Sequence, residues 1–225
     1  MTSRPGAVLF DIDGTLVDSN YVHVDAWSRA FADAGLTVPS SRIHRCIGMD
    51  GGKLLEELAG SSDSAAALEA KELHSSYYAE AGRSLQILPG ARELLRRIED
   101  IGLTVVLATS APEEELATLR DLLDVEDIVS VVTSSEDAEV AKPSPDIIGV
   151  ALDRAGVDAE GAVMIGDSVW DMLAAGRMGV ACIGVRSGGI SEAELRDAGA
   201  EIVYDDPADL VEHLDDSPIA RLPRA

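Results

Sequence analysis

Acidic residues follow the first short apolar run of the sequence. Asp11 and Asp13 stand two positions apart directly after this run, and Gly14 permits the unusual backbone conformation that closes a tight turn. Two neighbouring carboxylates repel each other unless a cation or a proton lies between them. An Asp-Gly pair taken alone is an ordinary turn signal, so a functional interpretation depends on the residues at the ends of the other apolar runs.

Hydroxyl, lysine and further acidic residues follow three later apolar runs. Thr109 and Ser110 follow the second run, Lys142 and Pro143 follow the third, and the segment GDSVWD at 166–171 follows the fourth. In an open parallel sheet, ligands bind at the carboxyl ends of the strands. An acid pair, hydroxyls, a lysine and a second acid pair at four successive strand ends therefore predict a functional site.

The elements that must position these residues are short apolar runs that alternate with amphipathic segments. The runs are apolar at successive positions, which is typical of strands buried on both faces of a parallel sheet. The predicted strands are 7–10, 103–108, 128–132, 162–165, 181–185 and 202–204, and the predicted helices are 91–101, 113–123, 145–155, 170–178 and 191–198. This alternation predicts a doubly wound parallel α/β sheet.

Residues 18–85 break the alternation, because this part of the sequence contains only helical patterns. The predicted helices are 21–34, 40–47, 54–59 and 65–81. A helical block of about seventy residues after the first strand is better explained as a separate domain than as a crossover. We therefore expect a catalytic core of residues 1–17 and 86–225, a helical cap domain of residues 18–85, and a frayed end after Leu214.

Composition and charge restrict the possible partners. The 225 residues carry a net charge of -23, which disfavours nucleic acid and anionic membranes and makes any phosphate site a local positive region, one that contains a metal. No apolar run approaches the ~20 residues of a membrane helix. Cys46 and Cys182 are far apart and form neither a disulfide framework nor a zinc motif. We expect a cytoplasmic protein, with a monomer favoured, that binds no nucleic acid and no membrane.

The four groups of residues together resemble the haloacid dehalogenase-like hydrolase superfamily, in the branch whose helical cap follows the first strand. The motifs are DIDGT at 11–15, Thr109, Lys142-Pro143 and GDSVWD at 166–171, and Pro89-Gly90 precedes the first core helix as in the family. The ordered set is specific and extends over nearly the whole chain. The resemblance implies a Rossmann-like core, a mobile four-helix cap, and a Mg²⁺-dependent phosphatase of small phosphorylated metabolites such as sugar phosphates or phosphoglycolate.

The resemblance also implies a role for each acid of the motifs. Asp11 would attack phosphorus to form an aspartyl-phosphate, and Asp13 would protonate the leaving group and then activate water. Mg²⁺ would be bound by the Asp11 carboxylate, the Asp13 backbone carbonyl and the Asp167 carboxylate, because this cation prefers oxygen ligands. Asp171 would not bind the metal itself but would orient either a metal-bound water or Lys142.

The remaining motif residues would bind the phosphoryl group. Thr109, with Ser110 and nearby backbone amides, would hold its oxygens, and Lys142 would balance its charge and that of Asp11. A surface lysine is the ordinary alternative for Lys142. The sequence contains only three lysines against fifteen arginines, so a lysine at a strand end before proline carries some weight.

Two alternatives to a phosphatase stay open, namely a β-phosphoglucomutase-like mutase and a non-catalytic binding protein. Asp13 argues against a dehalogenase, because a halide needs no protonation. The segment 18–27 is similar to the β-phosphoglucomutase branch, in which a histidine at the place of His23 helps gate the acid-base aspartate. Gly51 and Gly166 argue against a mutase, because that branch tends to carry an arginine and an acid at these places. A non-catalytic binding protein on the same fold would usually have lost one of the motif residues.

Selectivity among substrates should depend on the helical cap. Every phosphate monoester shares the phosphoryl group, so the leaving group must be distinguished by other side chains. The candidates are the basic residues His23, Arg42, His44, Arg45 and Lys53. We expect the segment Gly51-Gly52 to be a flexible loop that carries Lys53. The segment GVRSGG at 184–189 lacks the Walker lysine and is interpreted as an ordinary loop, and Trp27 and Trp170 as core residues.

Overall fold

The structure, a computed structural model, describes residues 5–137, 142 and 144–224. Pro143 of the predicted lysine motif lies outside the described residues. Within the described part, the chain forms two compact units, one of residues 5–18 and 87–224 and one of residues 19–86. No helix in the described ranges is long and apolar enough to cross a membrane.

The secondary structure consists of eight strands and ten α-helices over the described residues. The strands are β1 (Ala7–Phe10), β2 (Val17–Asp18), β3 (Gln86–Ile87), β4 (Thr104–Ala108), β5 (Val129–Thr133), β6 (Ala162–Gly166), β7 (Ala181–Val185) and β8 (Ile202–Tyr204). The helices are α1 (Asn20–Asp33), α2 (Ser40–Cys46), α3 (Gly51–Ala59), α4 (Ala65–Ala81), α5 (Ala91–Asp100), α6 (Glu113–Leu123), α7 (Asp146–Ala155), α8 (Val169–Arg177), α9 (Glu192–Asp197) and α10 (Pro207–Glu212).

Six parallel strands form the central sheet of the first unit, in the order β5-β4-β1-β6-β7-β8. The chain passes from β1 outward to β4 and β5 and then returns to β6 on the other side of β1. The order therefore reverses at β1, and such a reversal opens a crevice at the carboxyl ends of the strands. The predicted doubly wound, Rossmann-like α/β sheet is confirmed, with each of its six strands within one residue of its predicted bounds.

Burial on both faces explains why these runs become strands. All residues of β1 and β6 are buried, and Leu9 lies between Val106 and Met164 in the parallel register. These three side chains belong to one apolar cluster with Ile147 of α7 and Met172 of α8. Burying a side chain of this size stabilises the fold by about 1.5–3 kcal/mol, so the central strands are the most strongly fixed part of the scaffold.

The end of the chain differs from the prediction, because the segment after Leu214 is packed rather than frayed. Pro218, Ile219 and Leu222 are buried, and the Pro223 carbonyl accepts a hydrogen bond of 2.7 Å from the Gly6 amide. Burial of these apolar side chains stabilises the packed segment, although its polar residues are typical of a free tail. The short helix α10 and the two-residue strands β2 and β3 are also absent from the prediction, since none is long enough to show a periodic pattern.

The second unit consists of α1 to α4 around its own apolar core, with α1 and α4 in the most extensive contact. This core includes Trp27, Phe31, Ile43, Leu54 and Leu55. The unit therefore has the interior of an independent domain. Its action as a cap stays a prediction.

The predicted flexible loop at Gly51-Gly52 is wrong, because these residues form the first turn of α3. The Asp50 carboxylate accepts hydrogen bonds from the Gly52 amide at 2.9 Å and from the Lys53 amide at 3.2 Å, so Asp50 is the N-cap. Such a cap stabilises a helix start by about 1 kcal/mol and offsets the low helix propensity of the two glycines.

Candidate active site

The turn after β1 presents the first two acids. The Asp11 amide donates to the Ile165 carbonyl at 3.0 Å, which continues the pairing of β1 with β6. Beyond it the chain closes on the Ile12 carbonyl, which accepts from the amides of residues 15, 16 and 17 at 3.2, 2.8 and 3.0 Å. Gly14 has a φ of 71°, a conformation that glycine adopts without steric cost. Asp11 is buried and Asp13 is half-buried on this turn.

A fully buried lysine lies between two of the acids. The Lys142 ammonium is 2.7 Å from Asp11 Oδ1 and 2.7 Å from Asp171 Oδ1, and it donates to the Ala108 carbonyl at 3.0 Å. Its side chain is 0% exposed. The lysine therefore joins the ends of β1 and β4 to the start of α8. The ordinary alternative, a solvated surface lysine, is wrong.

Burial and charge act in opposite directions on this lysine and its partner. Burial alone would lower the pKa of Lys142, but Asp11 and Asp171 outweigh it and hold that pKa above its usual value, so the lysine stays charged. Burial raises the pKa of Asp11 to about 7; Lys142 opposes this rise, and Asp171 and Asp13 add to it. Without a further positive charge, the Asp11 carboxylate is therefore only partly ionised near neutral pH.

Asp171 is fixed by both of its oxygens. Oδ1 lies against Lys142, and Oδ2 accepts from the Ser168 amide at 3.1 Å and from the Ser168 hydroxyl at 2.5 Å. The Ser168 hydroxyl accepts in turn from the Asp171 amide, which completes a capping box at the start of α8. A Cβ on Gly166 would lie 2.5 Å from Cβ and Cγ of Asp171. Glycine at 166 is thus required by the position of Asp171.

Three carboxylates could hold a metal ion at this edge of the sheet. One oxygen each of Asp11, Asp167 and Asp171 lies within 4.8 Å of the others, and all three residues are buried. The Thr15 hydroxyl donates to Asp167 Oδ1 at 3.2 Å and so orients that carboxylate. Carboxylate oxygens are the ligands that hard divalent cations prefer. The structure brings the predicted ligands Asp11 and Asp167 together, and adds Asp171 to the group.

The two predicted phosphate-binding hydroxyls follow β4. Thr109 is buried, and its Oγ1 accepts from the Ala111 amide at 3.0 Å. The Ser110 Oγ is also buried, and it has no hydrogen-bond partner among the residues that the structure describes. An unpaired buried hydroxyl costs about 1–3 kcal/mol, which a bound ligand oxygen would recover. A buried hydroxyl without a partner among the described residues, as at Ser110, is expected of a group that binds a ligand.

Two contacts at the site are not predicted by the sequence. Thr15 bonds to Asp167, and the Ser187 hydroxyl, after β7, donates to the Gly14 carbonyl at 2.6 Å. Ser187 lies in the segment 184–189, whose sequence indicates an ordinary loop. The one available signal is its place at another strand end, since no motif marks this serine.

A sequence model of the family described as haloacid dehalogenase-like hydrolase matches residues 8–185. The chain belongs to this family. The hydrolase is similar to a phosphoglycolate phosphatase of Rhodospirillum rubrum, with 30% identity over 216 residues that cover 92% of this chain and 89% of that protein. These findings confirm the resemblance and the predicted enzyme class, a phosphatase of the haloacid dehalogenase-like superfamily.

Solved structures agree with the fold of the hydrolase. The crystal structure of a hydrolase from Pseudomonas syringae has a TM-score of 0.89 at 35% identity and covers 94% of this chain and 98% of that one. A β-phosphoglucomutase from Clostridium difficile has a TM-score of 0.81 at 19% identity and covers 94% and 96%. At that identity the second likeness concerns the fold alone.

His23 of the hydrolase is part of a buried aromatic cluster in the helical unit. Its Nδ1 lies 3.1 Å from His74 Nε2, and its ring stacks on Tyr78 with centroids 4.0 Å apart. Trp27 stacks on His74 at 4.1 Å. Burial, with a contribution from His23, lowers the pKa of His74 to about 2, so this ring is neutral. These contacts support a packing role for His23, and its role in selectivity stays a prediction.

The other basic candidates of the hydrolase lie on α2 and α3. Arg42 donates to the Glu57 carbonyl at 3.1 Å and contacts its carboxylate at 3.5 Å, which links the two helices. His44 stacks on Tyr21 with centroids 5.1 Å apart. Arg45 is exposed and Lys53 is half-buried. Their contribution to substrate selectivity also stays a prediction.

Proposed function

We propose that this hydrolase is a Mg²⁺-dependent phosphatase that removes the phosphoryl group from small phosphate monoesters through Asp11. The observation that carries the proposal is the fully buried Lys142, 2.7 Å from both Asp11 and Asp171. Burying a lysine is costly unless it is paired, and here one ammonium faces two carboxylates, so the cluster keeps an excess of negative charge that a bound cation would balance. The ammonium and that cation together would attract a phosphoryl group.

Residues of the site fit a magnesium ion by their chemistry. The carboxylates of Asp11 and Asp167 and the backbone carbonyl of Asp13 are the ligands we propose, and Thr15 holds Asp167 in place. Asp171 is already held by Lys142 and Ser168, which favours its role as a partner of Lys142 over a direct ligand. A bound Mg²⁺ would offset the repulsion between the carboxylates and the phosphoryl oxygens and would keep Asp11 ionised.

The first step transfers the phosphoryl group to the protein. A carboxylate oxygen of Asp11 attacks phosphorus in line, the new O–P bond forms, and the ester P–O bond breaks on the opposite side. Asp13 gives its proton to the leaving alkoxide oxygen and becomes a carboxylate. Thr109, Ser110 and Lys142 hold the oxygens of the transferring group, because hydroxyl and ammonium donors stabilise the charge that develops there.

The second step returns the protein to its starting state. The Asp13 carboxylate takes a proton from a water molecule as its oxygen attacks phosphorus. The bond between phosphorus and Asp11 breaks, inorganic phosphate leaves, and both acids regain their initial protonation. The two half-reactions therefore use the same acid in opposite directions.

A small phosphorylated metabolite is the substrate class that we propose. Curated relatives from Rhodospirillum rubrum and Yersinia pestis are named phosphoglycolate phosphatases, at 30% and 32% identity. Phosphoglycolate and sugar phosphates are therefore the first compounds to assay. Gly166 supports a phosphatase over a mutase, because the position of Asp171 leaves no room for an acidic side chain at 166.

Rapid acid quenching tests the covalent step. Mixing the enzyme and Mg²⁺ with ³²P-labelled substrate should label the wild type within one turnover, and the label should be lost on treatment with hydroxylamine, which cleaves acyl phosphates. Asp11→Asn should carry no label, whereas Asp100→Asn, which changes an exposed acid of α5, should behave as wild type. An unlabelled wild type that still turns over, or a labelled Asp11→Asn, would contradict the proposal.

Product analysis tests phosphatase against mutase and against a protein without catalysis. With an aryl phosphate and Mg²⁺, phosphate should appear as fast as substrate disappears, and a non-catalytic protein would release none. With β-glucose 1-phosphate, a mutase would form glucose 6-phosphate in excess over free phosphate and would need priming by a bisphosphate. That excess would overturn the assignment as a phosphatase.

A further inference from the structure

The turn that carries Asp13 is attached to two other strand ends. Thr15 connects it to Asp167 after β6, and Ser187 connects it to the loop after β7 through the 2.6 Å bond to the Gly14 carbonyl. Both contacts join residues more than a hundred positions apart in sequence, so they fix where the turn lies relative to the sheet. The bond from Ser187 acts on the peptide group between Gly14 and Thr15, one residue beyond Asp13.

The loop that holds Ser187 is itself fixed. Arg186 Nε donates to Asp205 Oδ1 at 3.0 Å, and the Gly189 amide donates to the Arg186 carbonyl at 2.9 Å to close a short 3₁₀ turn. Gly188 is buried and Ser187 is half-buried. The hydroxyl is therefore presented to the Gly14 carbonyl from a hydrogen-bonded turn.

We infer that Ser187 is a positioning residue for Asp13, which holds the acid at the distance that protonation of the leaving group requires. The inference rests on the proposed role of Asp13 as general acid. A general acid must come within about 2.6–3.2 Å of the oxygen that it protonates. The internal bonds of the turn to Ile12 set its shape, whereas Ser187 restricts its movement relative to β7. Without this hydroxyl, Asp13 would occupy the productive position less often.

Dependence on the leaving group separates this role from a general loss of stability. An aryl phosphate departs without protonation, so its hydrolysis does not require a well-placed acid, whereas an alkyl phosphate does require one. We expect Ser187→Ala to lower kcat/KM for an alkyl phosphate about tenfold and for an aryl phosphate less than about twofold. A variant that is merely less folded would lower both values by the same factor.

The experiment compares three substitutions by the ratio of alkyl to aryl kcat/KM. Ser187→Ala should lower the ratio about tenfold, and Ser187→Thr, which keeps the hydroxyl, should restore most of it. Ser191→Ala is the matched control, because the Ser191 hydroxyl caps α9 in the same part of the fold and donates to Glu194. The control should leave the ratio unchanged. Thermal unfolding of each variant shows the folded fraction, and Ser187→Cys, a weak donor, replaces Ser187→Ala if the latter does not fold.

Asp13→Asn distinguishes failure of this inference from failure of the proposed function. If Asp13→Asn lowers the ratio and Ser187→Ala leaves it at the wild-type value, Ser187 does not position the acid and the inference alone is overturned. If Asp13→Asn itself leaves the ratio unchanged, Asp13 is not the general acid, and the proposed function and the inference are overturned together.

Discussion

The two units each contain a buried polar cluster, and the clusters differ in whether their side chains carry charge. In the core, the charged Lys142 ammonium lies 2.7 Å from a carboxylate oxygen of Asp11 and 2.7 Å from one of Asp171. In the helical unit, the buried His74 stays neutral and shares a hydrogen bond with His23 between aromatic rings. The first arrangement preserves a strong electric field inside the protein, and the second avoids one. A reaction that transfers a charged group requires an environment with buried charges, whereas the packed interior of a helical unit is more stable without them.

The pH dependence of stability differs in sign between the two clusters. The pKa of Asp11 is raised from 3.8 to about 7, so the unfolded state loses this proton first, and the metal-free core loses stability as pH rises from about 4 to about 7. The pKa of His74 is lowered from 6.5 to about 2, so the unfolded state gains a proton first. The helical unit therefore loses stability as pH falls below about 6.5.

The largest effect is expected from removing the nucleophile. Asp11→Asn keeps the shape of the side chain and should lower turnover at least about a thousandfold, or roughly 4 kcal/mol, in an assay with aryl phosphate and Mg²⁺. The same variant should unfold at a higher temperature than wild type in metal-free buffer at pH 7.5, because it lacks a carboxylate whose ionised form is disfavoured by burial. Wild-type turnover would disprove the role of Asp11, and lower thermal stability would disprove the account of its raised pKa.

The next effect in size tests charge compensation in the core. Lys142→Met should lower the free energy of unfolding by about 3–5 kcal/mol, because two buried carboxylates lose their common partner. Adding Asp11→Asn should recover part of this loss by removing one of those charges, as urea denaturation would show. A double variant that is less stable than Lys142→Met alone would mean that the two side chains do not compensate each other.

A smaller effect is expected from the neutral cluster. His74→Phe should remove about 2 kcal/mol of the stability loss between pH 6.5 and 5, because the phenylalanine cannot bind a proton in the unfolded state. In a Trp170→Phe background, fluorescence of Trp27, which stacks on His74, would report the helical unit, and a Trp27→Phe background would report the core.

His213→Gln is the matched control for this pH effect. The pKa of the exposed His213 is raised, chiefly by its hydrogen bond to the Asp209 backbone, so its removal does not relieve the loss on the acid side. Equal pH profiles for wild type and His74→Phe would show that the buried histidine is not the cause.

The smallest effect concerns the basic residues of α2 and α3. Lys53→Ala should change the ranking of substrates, by about tenfold for one with an anionic leaving group, and should leave an aryl phosphate nearly unaffected. Lys71→Ala, an exposed lysine of α4, provides the control. If substitutions of His23, Arg42, His44, Arg45 and Lys53 all keep the wild-type ranking, selectivity comes from apolar shape in the helical unit.

Sequence-based prediction for this chain is limited mainly by contacts between residues that lie far apart in the sequence. Strands such as β1 and β6 are predictable because every residue in them is apolar and a parallel sheet has a known functional edge. The bonds from Thr15 to Asp167 and from Ser187 to Gly14 are not, because they join residues 152 and 173 positions apart and involve common hydroxyls. The helical start at Gly51 escapes prediction since one capping residue, Asp50, outweighs two glycines.

The position of β1 in the sheet has a consequence for synthesis on the ribosome. β1 is made first, yet its neighbours in the sheet are residues 104–108 and 162–166. At about 5–20 residues per second, the second neighbour emerges roughly 8–30 s after β1. The helical unit contains its own apolar core, whose residues all lie within 19–86. We therefore expect this unit to be able to fold on the nascent chain while the strand that precedes the nucleophile is still unpaired. An exposed apolar strand is a target for chaperones.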